Sequence, residues 1–540
     1  MSTPQPAYTS IPDAWRARVE ADPQHPAIRY FDGMLTALDV DRLSDQFAVE
    51  FEDRGVVKGD RVAVYLQNIP YHPLVLLALW KLGAIGVLVN PMYRGSELRR
   101  LIDDSGAIGI VAGRRSLAET RAALEDSSVR WVLSASDTAF QTRDDPRVFD
   151  GLPPAETSPD GDLEAVAASA SRPRLRAIEL TGDDTAFLTY TSGTTGPPKG
   201  AMNSHRNVLH AIDNFSEWIG LGQKDVVLAI APMFHITGMV INAGIALLGG
   251  ATLVLTARYH AEVVADAFKE HGVTFTIGSI TAFNAFFALP QVDESYFRSV
   301  RLLYSGGAPI APSTISRFQE RFGHYLHNVW GMTETTAGGI AVPAGAVAPV
   351  DPRSGSLSIG MAMQNVTVRI IDESGADVPA GEEGELEFSA PQVISGYWGN
   401  PEATASTFPD GRLRTGDVAV KDEDGWIFLV DRLKDLINAS GFKVWPREVE
   451  DALYEHPAVF EAAVVGEPDE YRGETVVAYV SLNPGHLVGP EELIAFTKER
   501  LAAYKYPRRV RIVDALPKTV TGKIRRAELR SSSVGGKDAS

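Results

Sequence analysis

Arg61-Val62-Ala63-Val64-Tyr65 leads into a helix-like apolar stretch over residues 73–82, and short aliphatic runs return in Ile108-Gly109-Ile110-Val111-Ala112 and Trp131-Val132-Leu133. Such runs, alternating with helical segments, predict βαβ units around largely parallel sheets. Residues 134–184 turn to Asp, Pro, Ser and Ala and read as a solvated connection with little core. From about residue 366 to 430 the pattern changes to short alternating strands, Val366-Thr367-Val368-Arg369-Ile370-Ile371 among them, between glycine-rich turns, which predicts a β-rich subdomain. After Arg432 a new series begins: a helix over 447–454, strands over 459–465 and 475–480, and a helix over 491–501. That is enough for a small α/β domain. The expected fold class is α/β. A large N-terminal domain (1–433) holds mainly parallel sheets and the β-rich subdomain (about 366–430), a small C-terminal domain follows (434–530), and the small, polar residues 531–540 form a disordered tail.

A chain of 540 residues exceeds what one hydrophobic core usually serves, so length alone asks for at least two domains. With 44% apolar and 22% charged residues most of it folds. The absence of cysteine excludes a disulfide scaffold, thiolate metal sites and a catalytic thiol. A formal charge of −18 repels polyanions and argues against nucleic acid as a partner. The first 18 residues hold no continuous apolar segment of the signal-peptide kind, so the expected location is cytoplasmic. Residues 238–257 carry no formal charge and are long enough for a membrane span. Gly238, Gly244, Gly249, Gly250 and Asn242 interrupt them, which favours helix, turn and buried strand over an integral membrane segment.

The strongest local signal is Tyr190-Thr191-Ser192-Gly193-Thr194-Thr195-Gly196-Pro197-Pro198-Lys199-Gly200. Four Ser/Thr hydroxyls, three glycines and a lysine in one turn give N–H and O–H donors close approach to phosphate oxygens, with a cation to spread their charge. The spacing is not that of the nucleotide-binding loop in which Gly-Lys-Ser/Thr opens a helix.

Further motifs follow in order: Ser305-Gly306-Gly307-Ala308-Pro309, Trp330-Gly331-Met332-Thr333-Glu334-Thr335, Arg414-Thr415-Gly416-Asp417, Asp431-Arg432-Leu433-Lys434-Asp435, Gly441-Phe442-Lys443-Val444-Trp445-Pro446-Arg447-Glu448-Val449-Glu450 and Pro517-Lys518-Thr519-Val520-Thr521-Gly522-Lys523-Ile524. With the loop, they make the chain resemble the adenylate-forming superfamily of acyl-CoA synthetases, firefly luciferase and nonribosomal peptide adenylation domains.

The resemblance implies a role for each motif. Thr191, Ser192, Gly193, Thr194, Thr195, Gly196 and Lys199 cradle phosphates. Gly306, Gly307 and Ala308 let the backbone approach adenine, beside which Trp330 stacks where many relatives carry Tyr. Asp417 accepts from the ribose hydroxyls, a charge-assisted pairing, and Arg432 supports sugar or phosphate, its bland alternative being an ion pair with Asp431 or Asp435. Glu334 is the ligand for Mg²⁺ on the ATP phosphates, and Thr333 hydrogen-bonds the α-phosphate. Lys523 neutralises charge at the reacting phosphorus and carboxylate. Lys434 is the hinge of a mobile small domain, and Gly441 lines the thiol approach. His235 lies at the acid-binding mouth and orients the carboxylate, either protonated or through a neutral N–H. Gly238, Met239, Thr281 and Tyr304 line the acyl site.

The expected activity is ATP-dependent ligation of a carboxylic acid to CoA, with release of AMP and pyrophosphate. The cofactors and co-substrates are ATP, Mg²⁺ and CoA. A medium- or long-chain fatty acid is favoured because Pro232-Met233-Phe234-His235 and residues 436–446 are similar to fatty-acyl members; an aryl or alicyclic acid fits as an alternative. A luciferase-like monooxygenase and an enzyme that loads a carrier protein are the rivals from other classes. The sequence is compatible with a homodimer and does not fix the oligomeric state.

Overall fold

The computed structural model describes residues 6–169, 178–191, 198–353, 355–432, 435–439, 442–469, 473–519 and 523–535. The run Arg61–Tyr65 is a central strand of a six-stranded sheet, ordered Trp131–Ala135, Gly109–Gly113, Arg61–Tyr65, Ile85–Leu88, Thr185–Tyr190 and Gly200–Ser204. All neighbours pair in parallel except the last two, which form an antiparallel hairpin. A thirteen-stranded sheet stands beside it. Its parallel part runs Pro26–Tyr30, Thr252–Leu255, Val226–Leu228, Phe275–Gly278, Leu302–Gly306 and Leu326–Met332.

At Leu326–Met332 the pairing changes direction. Ala337–Ala341, Ser358–Ala362, Ile427–Arg432, Leu413–Lys421, Glu383–Ser389 and Thr367–Ile371 continue the same sheet, each antiparallel to its neighbour. The β-rich region expected at about 366–430 is therefore not a separate sheet but the antiparallel continuation of the large one.

The largest hydrophobic cluster includes buried residues from both sheets. The helix Tyr71–Lys81 is apolar on every side, and all eleven of its residues are buried, the pattern of a helix packed between layers. Its one ammonium, on Lys81, is held by Asp41 Oδ1 at 2.7 Å, Asp45 Oδ1 at 2.8 Å and Ser44 Oγ at 2.9 Å, because a buried charge without partners is costly.

Residues 238–257 resolve as expected in outline. A π-helix Thr237–Gly244 passes into a short α-helix Ile245–Leu248, turns at Gly250 and enters the buried strand Thr252–Leu255. Among the described residues no helix is long and apolar enough to cross a membrane. Arg18 reaches in to donate to the carbonyls of Ala246 and Ala251, both at 2.8 Å, and of Leu247; burial lowers its guanidinium to about 10.

Two details depart from expectation. The 134–184 connection is not purely solvated, because short helices Pro146–Phe149 and Leu163–Ala168 bury Val148, Phe149 and Leu163. The helix Arg526–Gly535 carries ordered backbone into the first half of the stretch read as a disordered tail; residues 536–540 lie outside the described ones. The C-terminal part has its own five-stranded sheet, from Ile437–Ala439, Phe442–Val444, Val459–Asp469, Gly473–Leu482 and Arg509–Ile512, with its own core.

Candidate active site

The hydroxyl-rich run connects two strands that pair as an antiparallel hairpin, Thr185–Tyr190 and Gly200–Ser204, rather than a strand and a helix. Its neck is closed by Thr191 N donating to Lys199 O at 3.0 Å and Lys199 N donating to Thr191 Oγ1 at 3.2 Å. Ser192, Gly193, Thr194, Thr195 and Gly196 lie outside the described residues.

From this neck the Lys199 ammonium lies 4.9 Å from the ring centroid of Tyr397. The hydroxyl of the same tyrosine donates to Glu334 Oε1 at 2.6 Å. Glu334 is buried on the turn after Leu326–Met332, where Thr336 N donates to Thr333 O at 3.2 Å. Thr333 is half-buried. Two and three residues beyond Glu334, Thr336 and Ala337 have φ of 49° and 83°, unusual for side chains with a Cβ and typical of functional turns. Asn203 Nδ2 donates to Thr336 Oγ1 at 3.1 Å, and Gln392 Nε2 to the carbonyls of Thr335 and Gly338 at 2.9 and 2.6 Å. Burial, with the Glu334 charge beside it, pushes the Tyr397 phenol well up, so it is a donor at ordinary pH.

A second group forms one strand away. Asp417, on Leu413–Lys421, stands opposite Arg432 in the antiparallel register. Arg432 Nε contacts Asp417 Oδ1 at 2.5 Å, and Trp330 Nε1 donates to Asp417 Oδ2 at 2.9 Å. Among the described residues the Arg432 guanidinium thus pairs with Asp417 and not with Asp431 or Asp435; only its backbone N–H goes to Asp431 Oδ1, at 2.7 Å. The indole, read from sequence as a stacking surface, packs on Phe388 at 5.6 Å between centroids and also orients the carboxylate. A carboxylate has roughly four lone-pair sites, so two donors leave acceptor capacity for a diol.

The third group crosses from the C-terminal part to the large sheet. Leu302–Gly306 pairs with Leu326–Met332, Gly306 opposite Val329, which sets Gly306, Gly307 and Ala308 beside Trp330. Gly307 has φ +81°, and a Cβ there would stand 3.6 Å from Lys523 Cε. The turn carrying Lys523 is pinned by Thr519 N donating to Lys523 O at 2.7 Å and Lys523 N donating to Thr519 Oγ1 at 3.1 Å. Burial, with the Lys523 charge adding to it, pushes His235 down to about 3. Of the two modes expected for this histidine, the neutral one remains: Thr237 N donates to Nδ1 at 3.4 Å, so the proton sits on Nε2.

The acyl-site assignments divide. Gly238 opens the π-helix against the preceding loop, where a Cβ would meet Pro232 O at 2.1 Å and Ala231 O at 2.5 Å. Met239 is buried in the main core, and Thr281 is half-buried in the short helix after Phe275–Gly278. Tyr304 is a core residue rather than a pocket-lining one: its ring packs among Phe215, Phe275 and His327, and its hydroxyl donates to Val342 O at 2.8 Å. Beside Pro232 lies a void of about 30 Å³, lined also by Asn68, Ile230 and Tyr259, room for about one water.

Lys434 and Gly441 lie outside the described residues. On either side of Lys434, Arg432 is tied to Asp417, while Asp435 takes Arg530 at 2.8 Å and Arg526 at 3.6 Å. Arg447, on the helix Pro446–Tyr454, reaches back: its N–H donates to Asp431 Oδ2 at 3.0 Å and its Nη1 to Leu429 O at 2.9 Å.

Among the described residues no cluster of three or more His, Asp or Glu side chains could hold a metal alone. One buried carboxylate with one oxygen fixed by a tyrosine, next to a phosphate-loop lysine, fits a hard cation held mainly by nucleotide phosphates. Sequence reasoning missed Tyr397. Nothing in the spacing of its neighbours Gly396, Trp398 and Gly399 signals contact with Glu334.

Comparison with known proteins gives this geometry its context. The AMP-binding enzyme profile matches residues 15–398, and that of the AMP-binding enzyme C-terminal domain matches residues 448–523. A long-chain-fatty-acid–CoA ligase of Escherichia coli is 33% identical, over 98% of this chain and 96% of that protein. A feruloyl-CoA synthase of an Amycolatopsis species is 34% identical, over 95% of this chain and 97% of that protein. The crystal structure of an anthranilate CoA ligase with anthranoyl-AMP superposes with a TM-score of 0.87 at 25% identity, covering 98% of each chain. With Lys523 facing the large domain across Gly307 and both parts of the family present in order, this chain belongs to the AMP-binding enzyme family as an AMP-forming acyl-CoA synthetase.

Proposed function

We propose that the enzyme activates a medium- or long-chain fatty acid. The observation that carries the adenylating chemistry is the placement of Lys523 beside Gly307 and His235; the acid class is supported by the near full-length similarity to the Escherichia coli long-chain ligase. The acid's carboxylate oxygen attacks the α-phosphorus of ATP, the bond to the bridging oxygen breaks, and pyrophosphate leaves toward Lys199 and the loop. Neutral His235 hydrogen-bonds the other carboxylate oxygen through its Nε2–H, and Lys523 offsets the charge that builds between phosphorus and carboxylate. Thr333 hydrogen-bonds the α-phosphate, while Asp417, set by Trp330 and Arg432, holds the ribose. Mg²⁺, when bound, neutralises the phosphates, and Glu334 is the residue that holds it. The small domain then turns about Lys434, the Gly441 face replaces the Lys523 face, and the CoA sulfur attacks the acyl carbon as AMP leaves.

A second reading, an aryl acid, is favoured by the feruloyl-CoA synthase at comparable identity. A panel of fatty and aryl acids, scored for AMP release with CoA present, decides between them. Rising kcat/KM along the alkyl series supports the first; selective turnover of hydroxycinnamates or benzoates supports the second.

A further inference from the structure

Residues 392–398 form a strap over two charged parts of the site. Ile394 N donates to Glu334 O at 3.0 Å, Met202 N to Gly396 O at 3.1 Å, and Trp398 N to Gly200 O at 2.7 Å. Tyr397 bridges to Ala201, and its own N–H donates to Thr404 Oγ1 at 3.0 Å. The strap is thus fastened at one end to the Glu334 turn and at the other to the strand leaving the phosphate loop. Tyr397, one residue before the Trp398 end of the strap and buried, projects between them. Its hydroxyl takes Glu334 Oε1, and among the described residues Oε2 has no hydrogen-bond partner. The ring offers its face to the Lys199 ammonium.

We propose that Tyr397 is the positioning residue for the phosphate end of the site. Its hydroxyl turns Glu334 so that one oxygen is left for a phosphate-bound divalent cation, and its ring holds Lys199 at the pyrophosphate side. This rests on the reading of Glu334 as a metal ligand. A free glutamate has several rotamers, and a lysine at a loop neck has more; one tyrosine restricts both, so carboxylate and ammonium keep a fixed separation while nucleotide and product exchange. A tyrosine serves because it presents a polar tip and an electron-rich face on one rigid frame. Phenylalanine would keep only the face.

The test is calorimetric binding of ATP to the full-length protein, with Mg²⁺ and with EDTA, before any acid is added. Wild type should bind ATP more tightly with Mg²⁺. In Tyr397→Phe that gain should shrink on the order of tenfold, as expected for the loss of a hydrogen bond to a charged group, while affinity in EDTA stays as in wild type. Tyr397→Leu, which lacks the π face, should also lose about threefold in EDTA. Steady-state kinetics should show the Phe variant raising the KM for Mg·ATP and leaving the KM of the acid unchanged. A wild-type-like Mg²⁺ gain in Tyr397→Phe overturns the role of the hydroxyl, and equal EDTA affinities for the Phe and Leu variants overturn that of the ring. No Mg²⁺ gain in wild type overturns the Glu334 reading, and the hydroxyl's role with it.

Discussion

At the residue scale the site depends on a few charges whose neighbours fix their direction. Lys523 comes from the C-terminal part and meets the large sheet across Gly307. Lys523→Ala should slow adenylation by on the order of 10²–10³ and spare thioester formation from supplied acyl-adenylate; equal loss in both half-reactions, measured separately, would refute a Lys523 face used in only one. Asp417 is held from two sides, by Trp330 and Arg432. Asp417→Ala should weaken ATP binding on the order of 10–100-fold, and Trp330→Phe, which removes one neutral donor, by only about threefold to tenfold. Unchanged ATP affinity in Asp417→Ala would remove it from the ribose site. Each residue of these two groups could be named from the sequence because it sits in an ordered motif, whereas the convergence of Trp330 and Arg432 on Asp417 could not. Nor could Tyr397, because its meaning lies in a contact with Glu334, 63 positions away. Tyr304 was misread for the complementary reason: a tyrosine beside a motif carries no mark of whether its ring faces ligand or core.

At the element scale the π-helix Thr237–Gly244 is the least predictable feature. Apolar periodicity marks a buried helix there, but widening to i→i+5 bonding is a local response to packing against the Pro232 loop that Gly238 makes possible. Met239 lies on this widened turn, its N–H donating to His235 O at 3.0 Å, buried and unbranched, and can move aside as a branched or rigid residue could not. The void beside Pro232 holds about one water, so an alkyl chain entering there would have to displace side chains. Along a series of acids, kcat/KM should climb about threefold to fourfold per methylene and then break; Met239→Trp should shift the break to shorter chains and Met239→Ala to longer ones, and an unmoved break in both takes Met239 out of the acyl path. The hinge is argued likewise from what flanks it. Arg432 is tied to Asp417 on the large sheet and Asp435 to arginines of the C-terminal helix, so a rotation of the small domain would have to be taken up between them. Lys434→Pro, which fixes φ near −65°, should impair thioester formation far more than adenylation, and normal turnover of that variant would place the hinge elsewhere.

At the scale of the whole molecule the two α/β parts and their order were legible, because hydrophobic period and turn residues act locally. The joining of parallel and antiparallel strands into one sheet of thirteen was not, since edge-to-edge pairing between distant segments leaves no local trace. Burial on this scale has one consequence that is easily measured. His72 and His205 are fully buried, and burial lowers them to about 3 and about 4; His235 is lowered to about 3 by burial and Lys523. His72 has no partner for either ring nitrogen among the described residues, and His205 Nδ1 accepts from Ile11 N at 3.3 Å, so both are held neutral. An imidazole with its folded pKa depressed binds protons more readily when unfolded, so its contribution to stability is fully present above the ordinary value near 6.5 and is lost as pH falls toward the folded value. Between pH 7 and pH 5 each such group removes about 2 kcal/mol, which for a unit of this size lowers the apparent melting temperature by roughly 2 °C. The protein should therefore melt several degrees lower at pH 5 than at pH 7. His72→Leu, which leaves the catalytic groups untouched, should fall roughly 2 °C less over the same interval with its pH 7 activity retained. If its melting temperature tracks that of wild type across the whole range, His72 is protonated as readily in the folded protein as in the unfolded chain, and the acid sensitivity has to be assigned to other groups.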